Sequence, residues 1–141
     1  MTLEQAKQSI QSCAAQMHER YQKSVFDEWA IISLAEKRGR LLAYFGPRKA
    51  DFQKNFLADA DALRAGLLAQ KEQPGEFEFA RHGIGTKFEA YLVLGKGIFL
   101  ICNNTVQSMD GITRDPLWLG AQVPFVELSE QFRENPLELR N

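Results

Sequence analysis

Apolar positions recur along the chain with distinct spacings, and each spacing marks an element. From the start they fall at Leu3, Ala6, Ile10, Cys13, Met17 and Tyr21. Steps of three and four residues place them on one face of an α-helix. Lys7, Gln11, Glu19 and Lys23 fill the opposite face, so this helix is expected to dock by one side. Thr2 and Gln5 have the spacing of a capping box, in which a hydroxyl accepts from an early amide and the Gln side chain reaches back.

The spacing then changes. WAIISL (29–34) is a continuous apolar run between Asp27-Glu28 and the polar connection Glu36-Lys37-Arg38-Gly39. A short run of this kind reads as a strand buried on both faces. RLLAYF (40–45) is its expected hairpin partner, and Gly46-Pro47 stops it. Asp51 stands where it can cap a helix over 52–70. Phe52, Phe56, Ala60, Leu63 and Leu67 form a bulky stripe on this helix, suited to packing on a sheet. A second stripe of small residues, Ala58, Ala62, Ala65, Gly66 and Ala69, allows another helix to approach closely. It is also what the helix-forming tendency of alanine alone produces.

After Pro74-Gly75, EFEFA (76–80) alternates, with Phe77 and Phe79 on one side and Glu76, Glu78 and Ala80 on the other. It suits a short edge strand. Residues 88–94 and 98–103 read as two strong strands, joined by Gly95-Lys96-Gly97. A polar loop covers 103–114 and has the length of a binding loop. Asp115-Pro116 reads as the start of a last helical region carrying Leu117, Trp118, Val123, Val126, Leu128 and Phe132. Pro124 is expected to kink or split it, and Asn135-Pro136 to end it. The order is helix, strand, strand, helix, strand, strand, strand, helix. The expected fold is α+β, a single domain over 1–141. It is a five-stranded antiparallel sheet with the central helix on one face and the N- and C-terminal helices on the other.

Composition adds limits. With 141 residues, 45% apolar and 25% charged, the chain has the make-up of one globular domain with a real core. A net charge of −1 leaves no electrostatic footprint for nucleic acid or an anionic membrane. Neither nucleic-acid binding nor membrane insertion is expected, since the apolar runs fall short of the ~20 residues that span a bilayer. MTLEQAKQSI has no basic start followed by an apolar run, so it does not read as a signal peptide. The two cysteines, Cys13 and Cys102, read as buried thiols in a reducing compartment. The expected location is cytoplasmic.

No constellation of reactive residues stands out. Gly83-Ile84-Gly85-Thr86-Lys87 lacks the spacing of a phosphate loop and leads into a strand rather than a helix. His18 and His82 have no partner at ligand spacing, and no metal or other cofactor is expected. A Cys102–His82 nucleophilic pair is the one arrangement open to a hydrolase, against an inert thiol in an apolar strand. Asp59, Asp61 and Glu89 are scattered, and Arg48, Lys54 and Arg64 read as solvated side chains rather than an arginine-finger device. An enzyme is not expected. Exposed apolar surface is the better lead. One helix on a five-stranded sheet leaves part of that face open, and the edge at 76–80 can pair with its own copy. Both features fit a homodimer.

The order of elements resembles the roadblock family, of the dynein light-chain type and including bacterial polarity regulators. The likeness spans about residues 3–132 and is best in TKFEAYLVLGKGIFLICNN (86–104), similar to that family's final hairpin, and in FQKNFLADADALRAGLLAQ (52–70), similar to its central helix. The resemblance implies a homodimer with paired central helices and sheets joined at the edge strand. It also implies a non-enzymatic scaffold or regulator acting on a small Ras-like GTPase. The implied dimer or partner surface is Lys54, Ala58, Ala62, Ala65 and Ala69 with Glu76, Phe77, Glu78 and Phe79. The sequence departs from the family at the basic connection 36–39, the long loop after Asn103, and Pro124. Alternative readings are a profilin-like or sensor-type module with an apolar pocket, and a secretion-chaperone-like binder.

Overall fold

In a computed structural model, residues 1–21, 28–47, 49–56, 60–69, 90–103 and 123–139 are described. Helix α1 spans Leu3–Tyr21. Its capping box forms as the spacing requires. The Gln5 amide donates to Thr2 Oγ1 (3.2 Å) and the Thr2 amide to Gln5 Oε1 (2.9 Å). Ala6, Ile10, Cys13 and Met17 are buried, so α1 docks by the expected stripe.

Strands β1 (Glu28–Ser33) and β2 (Arg40–Phe45) form the first hairpin. Strands β3 (Ala90–Gly95) and β4 (Ile98–Asn103) form the second. Among the described residues the sheet has four antiparallel strands in the order β2-β1-β4-β3. The fifth strand expected at 76–80 lies outside the described residues. β1 and β4 are central and pair without interruption from Glu28↔Asn103 to Ser33↔Ile98.

The sheet has a core on each side. Trp29 and Ile31 of β1, with Leu92, Leu94, Leu100 and Cys102, face α1 and the C-terminal helix α4 (Val123–Glu134). Ala30 and Ile32, with Tyr91, Phe99 and Ile101, face Phe52, Ala60 and Leu63 of the central helical region. Successive side chains of a strand point to opposite faces, so a fully apolar strand serves both cores at once.

Each outer strand carries a bulge. Ala43 pairs with Ile31 and Leu41 with Ile32, which leaves Leu42 as an extra residue. Without it, Leu41 and Ala43 would share a face. With it, Leu41 and Tyr44 join the core under the central helix, while Leu42 and Ala43 join the other. In β3, Leu94 is the extra residue between the Val93↔Phe99 and Gly95↔Ile98 pairs. The chain turns between the strands at Gly97, whose φ of +70° is a left-handed conformation that glycine adopts without strain.

The central helical region differs from a single helix over 52–70. It opens with α2 (Lys49–Asp51), continues as a π-helical segment over Phe52–Phe56, and α3 covers Ala60–Ala69. Asp51 is thus inside the helical run and is not its cap. Pro124 stands at the start of α4. It is the second residue of that helix, in the first turn, where no intrahelical bond requires its missing N–H. The start expected at Asp115 lies outside the described residues. The helix ends before Asn135-Pro136, as the sequence indicates.

Beyond α4, residues 135–139 close the structure. The Leu137 amide donates to the Leu94 carbonyl (2.7 Å), and its side chain is buried in the α1–α4 core. The Met1 ammonium donates to Asn135 Oδ1 (3.1 Å) and to the Pro136 carbonyl (3.4 Å), so the two ends of the described chain meet. Gly95 makes this closure possible: a Cβ there would sit 2.3 Å from the Leu137 carbonyl oxygen. The obstacle is backbone, which cannot swing aside as a side chain would. Gly95→Ala is expected to lower stability by about 1–3 kcal/mol, the range for overpacking, and to loosen the tail. Urea denaturation, with hydrogen exchange at the Leu137 amide, measures both.

Candidate functional site

The central helical region presents an inner and an outer side. Phe52, Ala60 and Leu63 are buried, and the Phe52 ring lies 5.5 Å from that of Tyr44 in a tilted arrangement. Gln53, Lys54, Asp61 and Ala65 are exposed. Of the expected partner surface, Lys54 and Ala65 therefore lie on the outer side. Ala62 and Ala69 belong to α3. Ala58, Glu76, Phe77, Glu78 and Phe79 lie outside the described residues.

Val93 adds to this side of the molecule. It pairs with Phe99, which belongs to the core under the central helix, yet Val93 is 38% exposed. Val93 is thus an exposed apolar residue on the sheet face that carries the central helical region.

Arg64 corrects one expectation. It is not a freely solvated cation. Its Nε donates to the Leu34 carbonyl (3.0 Å), one terminal nitrogen to the Glu36 carbonyl (2.7 Å), and the other to the Asp61 carboxylate (2.7 Å). The Asp61 side chain is 82% exposed, and an ion pair that open is worth at most about 1 kcal/mol. Charged hydrogen bonds contribute about 1.5–3 kcal/mol, so the two carbonyl contacts dominate. They fix α3 to the end of β1, and the outer residues of α3 inherit a defined position.

Glu28 is a second feature the sequence did not reveal. It was read as the polar edge of a strand, but it opens β1 and is buried. The Tyr44 hydroxyl donates to its carboxylate. Gly46, with φ +148°, lies over this pair, and a Cβ there would meet Tyr44 Oη and Glu28 Cγ. The pair closes the hairpin at the end opposite the β1–β2 turn.

Between α1 and α4 runs a groove of about 310 Å³ lined by Gln8, Ser12, Gln16, Glu127 and Gln131, with Cys13 and Leu128 among the lining residues. The Gln131 side chain donates to Ser9 Oγ (3.1 Å) across it. Its lining is polar, unlike the phenylalanine-lined pocket a profilin-like module needs. Both thiols are free and buried. Burial, reinforced by the Glu127 carboxylate, pushes Cys13 from 9.0 up to about 12. Burial raises Cys102 well above its ordinary value, and Cys13 adds to the effect. A thiol held neutral in this way is a poor nucleophile, and His82, its conceivable partner, lies outside the described residues.

Among the described residues, no group of three or more His, Cys, Asp or Glu is placed to hold a metal ion, and no helix is long and apolar enough to cross a membrane. In comparisons with known proteins, no family model, curated protein or solved structure matches the chain.

The raised thiol has a consequence for stability. The unfolded chain ionises Cys13 near 9.0 and the folded chain near 12. The folded state therefore keeps a proton that the unfolded state loses across that interval, and its advantage falls as pH rises. The contribution is complete below pH 9.0 and declines towards about 12. Urea denaturation of wild type and Cys13→Ala through this range is expected to show a steeper alkaline loss in the wild type.

Proposed function

We propose that this chain is a non-enzymatic, homodimeric scaffold or regulator of roadblock type, acting in the cytoplasm on a small Ras-like GTPase. The observation that carries the reading is the two-sided sheet with an incompletely covered face. The central helical region lies on one side, its outer residues Lys54, Asp61 and Ala65 are exposed, and Val93 is exposed on the same face of the sheet. Helices α1 and α4 fill the other side.

In this reading, residues 76–80 form a fifth strand on the free edge of β3, and the sheets of two copies join there. The central helices pair across the dimer axis. The small side chains at Ala58, Ala62, Ala65 and Ala69 allow close approach, and Phe77 and Phe79 add apolar area. Arg64 supports the arrangement because it holds α3 to the β1 end through main-chain contacts. A rigid helix loses less freedom on pairing than a loose one.

Size-exclusion chromatography with light scattering is expected to give a dimer for the wild type. Ala65→Glu places a charge at an exposed position. It is expected to shift the protein to monomer with an unchanged circular dichroism spectrum. A monomeric wild type, or a dimer indifferent to Ala65→Glu, contradicts the proposed interface. Affinity capture with GTP and GDP analogues then tests the partner, since a regulator of this kind retains a small GTPase in one nucleotide state only.

A further inference from the structure

The fold gathers cations that a net charge of −1 averages away. The β1–β2 turn and the β3–β4 turn lie side by side at one end of the sheet. The Leu34 amide donates to the Gly97 carbonyl (2.7 Å), and a Cβ on Gly97 would sit 2.9 Å from the Ala35 Cβ. Lys37 and Arg38 of the first turn, Arg40 at the start of β2 and Lys96 of the second turn are all exposed. Four cations from distant parts of the sequence thus share one end of the molecule.

These charges are available to a partner. The side chains of Lys37, Arg38 and Lys96 have no ion-pair or hydrogen-bond partner among the described residues. Arg40 meets Glu36 at 4.0 Å, and both side chains are exposed. An ion pair so long and so open holds its members loosely. The carboxylate of Asp61, on the neighbouring helix α3, is taken up by Arg64. The two turns therefore keep an excess of positive charge.

Shape narrows the partner. The Leu34 amide and the Leu34 and Glu36 carbonyls are engaged within the chain, so they offer nothing to an added peptide strand. None of the four cations lines the groove between α1 and α4. Two abutting turn tips are convex, and a deformable anionic surface meets all their charges at once, whereas a rigid acidic protein needs a matching hollow. Leu139 is 42% exposed and stands two residues beyond Leu137, whose carbonyl abuts Gly95 of the second turn. At most about 7 Å of chain separates Leu139 from that contact. Exposed apolar and basic side chains together suit the headgroup region of a bilayer.

We propose that the paired turns, with Lys37, Arg38, Arg40 and Lys96, dock this protein on the surface of an anionic phospholipid membrane. The chain rests on the headgroups, and no helix among the described residues enters the bilayer to cross it. Each Lys or Arg held near such a surface tightens binding about fivefold. The attraction fades beyond a Debye length, about 8 Å at physiological salt, so binding weakens as salt rises. The docking does not depend on the dimer or on its GTPase partner.

The test is flotation of the full chain with vesicles of phosphatidylcholine alone or with about 30% phosphatidylserine added. The wild type is expected to float with the anionic vesicles only, and to be released as sodium chloride rises from about 0.05 to 0.5 M. Lys37→Glu and Lys96→Glu, one from each turn, are each expected to weaken binding at least about fivefold with an unchanged circular dichroism spectrum. Lys49→Glu makes the same change of charge at an exposed site beyond the other end of β2, and is expected to bind within about twofold of wild type, since that site lies more than a Debye length away. A wild type that ignores phosphatidylserine overturns the surface. So does a loss as large in Lys49→Glu as in Lys96→Glu, or retention on polyglutamate without any flotation, which would mark an acidic protein as the partner.

Discussion

The structure depends on one strand having no exposed side. All six residues of β1, Glu28–Ser33, are buried, and the strand lies between β2 and β4. Its alternate side chains enter both cores, Trp29 and Ile31 under α1 and α4, Ala30 and Ile32 under the central helical region. The backbone just past its end is also committed. The Leu34 amide donates to the Gly97 carbonyl, and the Leu34 carbonyl accepts from Arg64. Two helical layers on opposite faces of the sheet are therefore registered to each other through the same short segment. An error in β1 would shift every side chain to the wrong face.

That constraint explains the edges. β2 and β3 must each follow a central strand while delivering apolar residues to two cores of different shape. In β2 the bulge at Leu42 achieves this by inserting one residue and reversing the alternation beyond it; in β3 ordinary alternation does so, and the bulge at Leu94 comes just before the final Gly95. Bulges also make an edge a poorer template for unwanted pairing. At β3 the inserted Leu94 gives its carbonyl to Leu137, so the irregularity is where the C-terminal segment attaches. The α1–α4 side is closed by the contact of the Met1 ammonium with residues 135–136.

Much of this was legible in the sequence because it is local. The Thr2–Gln5 box, the stripe from Ala6 to Met17, the limits of β2 and the turn at Gly97 follow from spacing and glycine chemistry alone. The bulges were not legible, since Leu42 and Leu94 look like ordinary apolar strand residues and become extra only when a partner strand is counted. Arg64 was misread, and the burial of Glu28 went unseen, for the same reason. A charged residue at a helix surface or strand end looks solvated until distant elements supply its partners, here the Leu34 and Glu36 carbonyls and the Tyr44 hydroxyl. Only the Asp61–Arg64 spacing hinted that Arg64 is fixed. Of the candidate site, the exposure of Ala65 follows from the small-residue stripe of the helix, and Val93 was missed because exposure at a strand depends on what covers its face.

Native-state hydrogen exchange followed by nuclear magnetic resonance tests most directly whether β1 ties the two cores together. If it does, the amides of β1 and of its neighbour β4 exchange only through global unfolding. Their opening free energies then equal the stability from denaturation, and Arg64→Met lowers protection on both sides of the sheet together. Exchange of β1 amides at free energies well below global stability would contradict the account. So would an Arg64→Met effect confined to the central helical region.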